Sequence, residues 1–328
     1  MGSREIEQGS LPRGNLTGMT ANGTRHAALF PGQGSQFEGM ADPWAKHPAG
    51  EAVLRAASEA MGRDVAAGAR DAAALETTEF VQPALLACDV AAFRVLEAEG
   101  ASFVGVAGHS LGEFAALVAA DVLDLADALE LVVVRGDAMQ RAGEERPGTM
   151  TALLGVGGDD ATALCDEARE DDVLVVANEN SPAQVVLSGS VPAIERAEAL
   201  AKARKVRAVR LPVAGAFHSP LMEPARGAID ERIDALAFSA PRFPVAENVA
   251  GALVSDPEEL RSLLKRHVIS PVRWDSCIRV LAGAGATSFL EAGAGDVLTR
   301  LMKRIVPDAA ARAIGSPDDA HAAASAPR

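Results

Sequence analysis

The first candidate for chemistry is a serine set between two glycines, Ser110 in the segment VAGHSLGEF. Gly108 and Gly112 are typical of a tight strand-to-helix turn, where the backbone leaves no room for a Cβ atom. The apolar segment 101–108 predicts a short buried strand, and apolar residues at helical spacing in 111–123 predict a helix. We therefore expect Ser110 at the start of a helix, with its hydroxyl oxygen exposed and backbone N–H groups nearby.

A serine hydroxyl needs a base within hydrogen-bond reach before it becomes a useful nucleophile. His218, in a loop that follows the predicted strand 206–213, is the candidate. His109 is the alternative, but neighbouring side chains diverge at such a turn, so packing or a local hydrogen bond is expected for it. A lone loop histidine is more often structural than catalytic, and its pairing with a glycine-flanked serine favours the catalytic interpretation.

Acyl transfer also requires N–H donors aimed at the oxygen that becomes negative in the tetrahedral intermediate. The backbone N–H of Leu111 is one candidate. The glycine-rich loop FPGQGSQ at 30–36 follows a predicted strand and is expected to supply a second. A plain strand-to-helix connection or a phosphate-binding loop are the alternatives; the loop has neither the GxGxxG spacing nor a Walker lysine, which disfavours nucleotide binding.

Arg135 stands out because its neighbours at helical spacing, Leu131, Val132, Ala138 and Met139, are all apolar. A guanidinium on an otherwise buried helix face must meet an anion or reach water, because an unpaired buried charge is costly. A structural salt bridge is one interpretation. The other is that Arg135 binds a substrate carboxylate through two parallel hydrogen bonds.

The elements that must position these residues follow an α/β pattern. Alternating apolar strands and amphipathic helices predict an α/β-hydrolase-like core with a mainly parallel sheet. Within it, the segments from about 149 to 213 have the order β-α-β-β-α-β, which predicts an inserted ferredoxin-like subdomain.

The predicted boundaries divide the chain into five parts. Residues 1–25 are polar and glycine-rich, which predicts a disordered extension, with Met19 as an alternative start. Residues 26–148 and 214–312 form the large core, and 149–213 the small subdomain. Residues 313–328 have low-complexity composition and are predicted to be a flexible tail.

Composition excludes several classes of function. The net charge of −14 argues against nucleic acid, whose phosphates require a basic surface. No apolar run of membrane-spanning length and no signal sequence is apparent, so a cytoplasmic protein is expected. Cys88, Cys165 and Cys277 are far apart and form no metal-ligand or disulfide pattern, so each is expected to be a small buried residue.

Basic residues nevertheless cluster at 202–210, KARKVRAVR, and recur further along the chain at Lys265, Arg266, Arg300, Lys303 and Arg304. These are either solvated helix edges or a docking face for an acidic partner. Within the first cluster, Lys202, Lys205 and Arg207 are the residues on which docking would depend.

Taken together, the motifs resemble the malonyl-CoA:acyl carrier protein transacylases, the acyltransferases of fatty acid and polyketide synthesis. The resemblance covers about residues 27–306. It is carried, in the order found in that family, by FPGQGSQ, VQPALLA, GHSLGE, VVVRGDAMQ, NENSPAQVVLSG, GAFHSPLM, SPVRW and EAGAGDVLTRL. GHSxG alone also marks hydrolases and thioesterases, but eight motifs in order are specific.

The resemblance implies a role for each matching residue. Ser110 is implied to be the acylated nucleophile and His218 the base and then acid. The backbone N–H groups of Gln33 and Leu111 are implied to form the oxyanion hole, and Arg135 to bind the malonyl carboxylate.

The pocket is implied to include Gln82, Met139, Phe217 and Asn180. The backbone carbonyl of His267, where relatives often carry glutamine, is implied to orient the catalytic histidine. Phe217, and Leu111 after the serine, resemble members that use malonyl units, because the ring of Phe217 would fill the space of an α-methyl group.

The implied activity is a ping-pong transfer from malonyl-CoA to an acyl carrier protein. No tightly bound cofactor, no metal, no membrane or nucleic-acid partner and a monomer are expected. The first alternative is an acyl-carrier proofreading hydrolase or thioesterase on the same scaffold, which Arg135 disfavours. The second is a catalytically inactive scaffold that only docks carrier proteins. Whether the malonyl units enter fatty acids or polyketides stays open.

Overall fold

The structure is a computed structural model, and it describes residues 25–213 and 215–325. The predicted extension therefore lies outside the described residues, except for Arg25, whose carbonyl accepts hydrogen bonds from the N–H groups of Thr287 and Ser288. No helix among the described residues is both long and apolar enough to span a membrane.

The chain is mixed α/β, with a mainly parallel sheet and a separate antiparallel sheet. The strands are β1 His26–Phe30, β2 Phe103–Gly108, β3 Gly148–Leu154, β4 Leu174–Ser181, β5 Gln184–Ser190, β6 Arg207–Arg210, β7 Val245–Glu247, β8 Ala252–Val254, β9 Ser288–Ala292 and β10 Ala310–Ile314. The larger sheet has the order β10-β9-β1-β2-β7-β8 and is parallel except for β8. The smaller sheet has the order β4-β5-β3-β6 and is antiparallel throughout.

Helices cover both faces of the larger sheet and one face of the smaller. They are α1 Pro48–Met61, α2 Val65–Gly68, α3 Ala72–Leu75, α4 Thr78–Ala98, α5 Gly112–Ala119, α6 Leu125–Glu145, α7 Gly158–Arg169, α8 Val191–Ala203, α9 Glu223–Asp234, α10 Pro257–Arg266, α11 Trp274–Gly283, α12 Val297–Ile305 and α13 Pro317–Ser325, with short 3-10 helices at Trp44–Lys46, Pro220–Met222 and His267–Ile269.

The central strands are buried at every position, which explains their almost continuous apolar sequences. HAALF in β1, FVGVAG in β2 and SFLEA in β9 have no exposed residue. Parallel strands covered on both faces require this pattern, since neither face meets water. Loops that follow β1, β2 and β7 meet at the carboxyl edge of this sheet, where open α/β sheets place their ligand sites.

The smaller sheet follows the predicted element order. β6 lies within the predicted strand 206–213 and ends three residues before its predicted end, because Pro212 cannot donate to a ladder. A backbone bridge ties this sheet to the larger unit: the N–H of Glu179 donates to the Val272 carbonyl, and the N–H of Val272 donates to Ala177.

The prediction of a flexible tail from residue 313 is wrong for the residues that the structure describes. β10 completes the larger sheet, and α13 packs on α4 with Ala320 and Ala323 buried. Ser316 caps α13, since its hydroxyl oxygen accepts the N–H of Asp319 and donates to its carboxylate. Alanine supplies the entire buried stripe, which is why the composition looked like low complexity.

Ala320→Glu should destabilise the protein by about 1–3 kcal/mol, because it places a carboxylate on the buried face of α13. Urea unfolding followed by circular dichroism measures the change. The control is Ala322→Glu on the exposed face of the same helix. Equal stability of the two variants would contradict the packing of α13 on the core.

Candidate active site

The nucleophile turn can be built only with glycine on both sides of Ser110. A Cβ on Gly108 would overlap the backbone of Gly112, and one on Gly112 would overlap the carbonyl of Phe30. Ser110 itself has a φ of 51°, in the left-handed region that non-glycine residues rarely occupy. The turn is therefore held in a strained conformation by its surroundings, as is common at functional sites.

Ser110 and His218 are in direct contact. Their Oγ and Nε2 atoms lie 2.7 Å apart. Nδ1 of His218 lies 3.1 Å from two backbone carbonyls, those of His267 and Ser270. Because both carbonyls can only accept, we assign the ring proton to Nδ1, which leaves Nε2 to accept the serine proton. The sequence implied the His267 carbonyl but did not indicate Ser270.

Burial and the charge of Arg135 lower the pKa of His218 to about 3. The side chain is almost fully buried, and desolvation disfavours the imidazolium form. His218 is therefore neutral at physiological pH and ready to accept a proton.

Arg135 is only 2% exposed, and no carboxylate among the described residues lies within ion-pair distance of it. Its Nη1 donates to Oε1 of Gln82 at 2.7 Å, and its Nη2 donates to the Ser110 oxygen at 3.2 Å. Burial lowers its pKa to about 10, so it stays charged at neutral pH. No salt bridge to Arg135 is present among the described residues, and the guanidinium faces the serine; the charge of Glu113, which lies beyond ion-pair distance, raises the pKa of the arginine.

These residues line a cleft of about 550 Å³ between the two sheets. All ten sequence-predicted site residues lie at the cleft or against it, and eight of them line it. The two exceptions are Gln82, which is fully buried behind Arg135, and His267, whose ring lies 5.2 Å from that of His218. The pocket-lining role implied for Gln82 is thus replaced by a contact with the arginine.

The two backbone N–H groups predicted to form the oxyanion hole can donate to a ligand in the cleft. The backbone N–H groups of Gln33 and Leu111 donate no hydrogen bond to any residue in the described ranges. Their loops touch, since a Cβ on Gly32 would lie 2.5 Å from the His109 carbonyl oxygen and 3.7 Å from the nitrogen of Leu111. Both donors border the same cleft as the Ser110 hydroxyl.

His109 forms no hydrogen bond with the Ser110 hydroxyl in the described structure. Its Nε2 lies 2.8 Å from Oδ1 of Asn180 on β4, and its ring lies 5.3 Å from that of Trp274. The expected hydrogen bond therefore exists, but with a partner in the other sheet. Asn180 lies at the cleft, as the resemblance implied, and joins its two walls.

Two polar residues near the serine were missed by the sequence analysis. Asn248 follows β7 and hydrogen-bonds the nucleophile turn on both sides, and Glu113 on α5 accepts the N–H of Asn248 at 2.9 Å. The available signal was the pair Glu247 and Asn248, two polar residues that directly follow buried strand positions. Burial raises the pKa of both glutamates.

Comparison with known proteins identifies the family. The model of the acyl transferase domain matches residues 28–327. The malonyl CoA-acyl carrier protein transacylase of Escherichia coli (strain K12) is 41% identical over 299 residues, which cover 90% of this chain and 97% of that protein. The chain belongs to the malonyl-CoA:acyl carrier protein transacylases. The predicted resemblance is confirmed, and the chain is an acyltransferase.

Solved transacylase structures have the same fold. The malonyl-CoA:acyl carrier protein transacylase of Xanthomonas oryzae pv. oryzae matches with a TM-score of 0.88 and 40% identity, covering 94% of this chain and 99% of that one. A structure of a type II PKS acyl-carrier protein in complex with its malonyl-transacylase matches with a TM-score of 0.88 and 37% identity, covering 92% and 99%.

The basic cluster on α8 and β6 is only partly available to a partner of this transacylase. Arg210 pairs with Glu198 and Arg204 with Glu167, whereas Lys202, Lys205 and Arg207 border one surface depression. Of the other predicted basic residues, Lys265 pairs with Asp234 and Arg300 with Asp296. A docking role for the cluster stays a prediction.

Ser110 should react with phenylmethanesulfonyl fluoride at a rate that is constant within about twofold from pH 8 down to about pH 5, because His218 stays neutral throughout. A histidine of ordinary pKa would instead lose about 30-fold over the same range. Intact mass against time measures the rate. A decline with a midpoint near the ordinary histidine pKa would contradict the lowered value.

Proposed function

We propose that the protein transfers a malonyl group from malonyl-CoA to the phosphopantetheine thiol of an acyl carrier protein, through a malonyl ester on Ser110. The observation that carries the proposal is the position of the serine oxygen, between a neutral His218 and the guanidinium of Arg135, which forms no salt bridge among the described residues. The names of the relatives support the substrates, and the complex with a type II PKS carrier protein supports the acceptor.

In the first half-reaction, Ser110 Oγ attacks the thioester carbonyl of malonyl-CoA while Nε2 of His218 takes its proton. The N–H groups of Gln33 and Leu111 stabilise the oxyanion of the tetrahedral intermediate. When the C–S bond breaks, His218 returns the proton to the sulfur, and free CoA leaves. The carbonyls of His267 and Ser270 stabilise the imidazolium while it exists.

The second half-reaction reverses these roles. His218 takes the proton of the carrier thiol, and the sulfur attacks the ester carbonyl. The bond to Ser110 breaks, and the serine oxygen recovers its proton from His218. Each half-reaction returns its proton, and the proposed steps use no cofactor or metal. We accordingly propose that CoA enters only as a substrate.

Arg135 selects the acyl group in this proposal. A malonyl carboxylate can accept two hydrogen bonds from the planar guanidinium, whereas an acetyl group leaves the buried charge unpaired. Phe217 and Met139 bound the same cleft and supply its apolar wall near the acyl chain. Phe217 is proposed to exclude an α-methyl branch, which favours malonyl over methylmalonyl units.

The finer description of the fold belongs to the same proposal. We propose an α/β-hydrolase-like core at 26–148 and 214–312, supported by the mainly parallel sheet and the serine turn after β2. The strand order of the smaller sheet supports a ferredoxin-like subdomain at 149–213. A cytoplasmic location is proposed from the CoA and carrier substrates, and a monomer stays a prediction. Arg135, which forms no salt bridge among the described residues, does not favour the hydrolase alternative.

Incubation with malonyl-CoA alone should add the mass of one malonyl group to the wild-type protein and nothing to Ser110→Ala, because the ester accumulates when no thiol acceptor is present. Intact mass spectrometry records the adduct, and addition of a phosphopantetheinylated carrier protein should remove it. CoA release without any adduct would favour transfer to water and contradict the proposal.

Arg135→Ala should lower the rate of malonyl loading at least about 100-fold, while acetyl loading falls less or rises. The physical reason is that only the malonyl carboxylate compensates the buried charge. Loading rates with the two CoA esters give the comparison, and Arg135→Lys, which keeps the charge without the planar fork, is the matched control. Equal losses for both acyl groups would refute the clamp.

A further inference from the structure

Asn248 is fully buried beside the nucleophile, and its side chain contacts the turn on both sides of His109. Its Oδ1 accepts the N–H of Ser110 at 2.9 Å, and its Nδ2 donates to the carbonyl of Gly108 at 2.7 Å. One N–H donor and one carbonyl acceptor of the turn are thus satisfied by a residue that lies 138 positions away from the serine in sequence.

The backbone of Asn248 is anchored independently of its side chain. Its N–H donates to Oε2 of Glu113 on α5, and its carbonyl accepts the N–H of Arg273 at 2.9 Å. The side-chain amide is therefore held between the end of β7 and the start of the helix that carries the nucleophile, with little freedom to move.

The geometry explains why an amide is needed here. β2 and β7 pair as parallel strands at Val106 with Val245 and at Ala107 with Ala246, and β2 then turns away at Gly108. The side chain of Asn248 presents one acceptor and one donor, as a peptide group would, and so continues the ladder past the point where the backbone of β2 leaves it.

We propose that Asn248 is a positioning residue of the transferase reaction, which holds Ser110 in its left-handed conformation so that Oγ stays within reach of His218. The φ of 51° at Ser110 is unfavourable for a serine, and it persists only where the surroundings determine it. Asn248 never touches the acyl group and acts through the serine alone. The inference rests on the proposed function.

This role predicts a specific kinetic pattern. In Asn248→Ala, kcat for acyl-enzyme formation should fall about 100-fold for malonyl-CoA and acetyl-CoA alike, because a misplaced nucleophile slows attack on any carbonyl. KM for malonyl-CoA should stay within about threefold, since Arg135 and the cleft are untouched. Sulfonylation of Ser110 by phenylmethanesulfonyl fluoride should slow by a similar factor.

Asn248→Asp provides a signature that a merely structural role would not produce. The ionised carboxylate can accept from Ser110 but repels the carbonyl of Gly108, whereas the protonated acid can donate to that carbonyl and restores the pattern of the amide. Sulfonylation of this variant should therefore recover at least about tenfold as the pH falls from about 8 to about 5, while the wild-type rate stays flat.

The titratable groups around Asn248 influence the pKa of the carboxyl introduced in Asn248→Asp. Glu113 from α5 accepts the N–H of Asn248, the carboxylate of Glu247 from β7 accepts the N–H groups of Val249 and Ala250, and burial raises the pKa of both carboxyls. Nε2 of His267 lies 3.9 Å from Oε2 of Glu113, and burial lowers the pKa of His267. Arg135, from α6, contributes a positive charge. A carboxyl introduced beside two buried carboxyls has a raised pKa, so it gains its proton at a higher pH than an exposed aspartate does.

Ser188→Ala is the control for loss of a buried polar group, because its fully buried hydroxyl on β5 has no hydrogen-bond partner in the described structure. It should retain wild-type rates. Thermal unfolding of every variant separates misfolding from misplacement, and the acid recovery of Asn248→Asp tests the role even where Asn248→Ala does not fold.

Three results would overturn the proposal: unchanged kcat in a folded Asn248→Ala, a loss confined to malonyl-CoA, or no acid recovery in Asn248→Asp. Failure of the proposed function is distinguishable from these results. In that case the wild-type protein would form no malonyl adduct, but substitution of Asn248 would still change the rate of Ser110 sulfonylation as described.

Discussion

A single positive charge enclosed beside the serine governs the chemistry of this protein. Arg135 is buried on α6 with glutamine and serine oxygens as its polar contacts rather than a carboxylate. Its field adds to burial in lowering the pKa of His218, so the base stays neutral. The same charge leaves an anion site open in the cleft. The neutral state of His218 and the proposed selection of the acyl group are thus two results of one placement.

The scaffold serves that placement by bringing distant segments to one edge of a sheet. Loops after β1, β2 and β7 supply the proposed oxyanion donors, the proposed nucleophile and the amide proposed to position it. His218 comes from the segment that returns from the smaller sheet, and its two carbonyl partners come from the segment after α10. The β4 bridge to Val272 and the contact between His109 and Asn180 keep the cleft walls in register.

The residues predictable from sequence were those with a local signal. Ser110 was marked by its glycines, and Arg135 by apolar neighbours at helical spacing. β2 was predicted within the segment 101–108 because its apolar sequence is continuous. Asn248 was missed because its role depends on the adjacency of β2 and β7, which local patterns do not report. Ser270 contributes a backbone carbonyl, for which no residue type is required.

The strand order of the larger sheet constrains how the chain can be made. β1 lies in the interior of the sheet, between β2 and β9, so the first strand finds one of its two neighbours only after residue 288 has been synthesised. Until then a fully apolar strand presents an unpaired edge, the kind of surface on which growing chains aggregate. Completion of the sheet is thus a late, long-range event that gives the fold a high contact order. The chain through β9 must leave the ribosome before the framework around Ser110 can close.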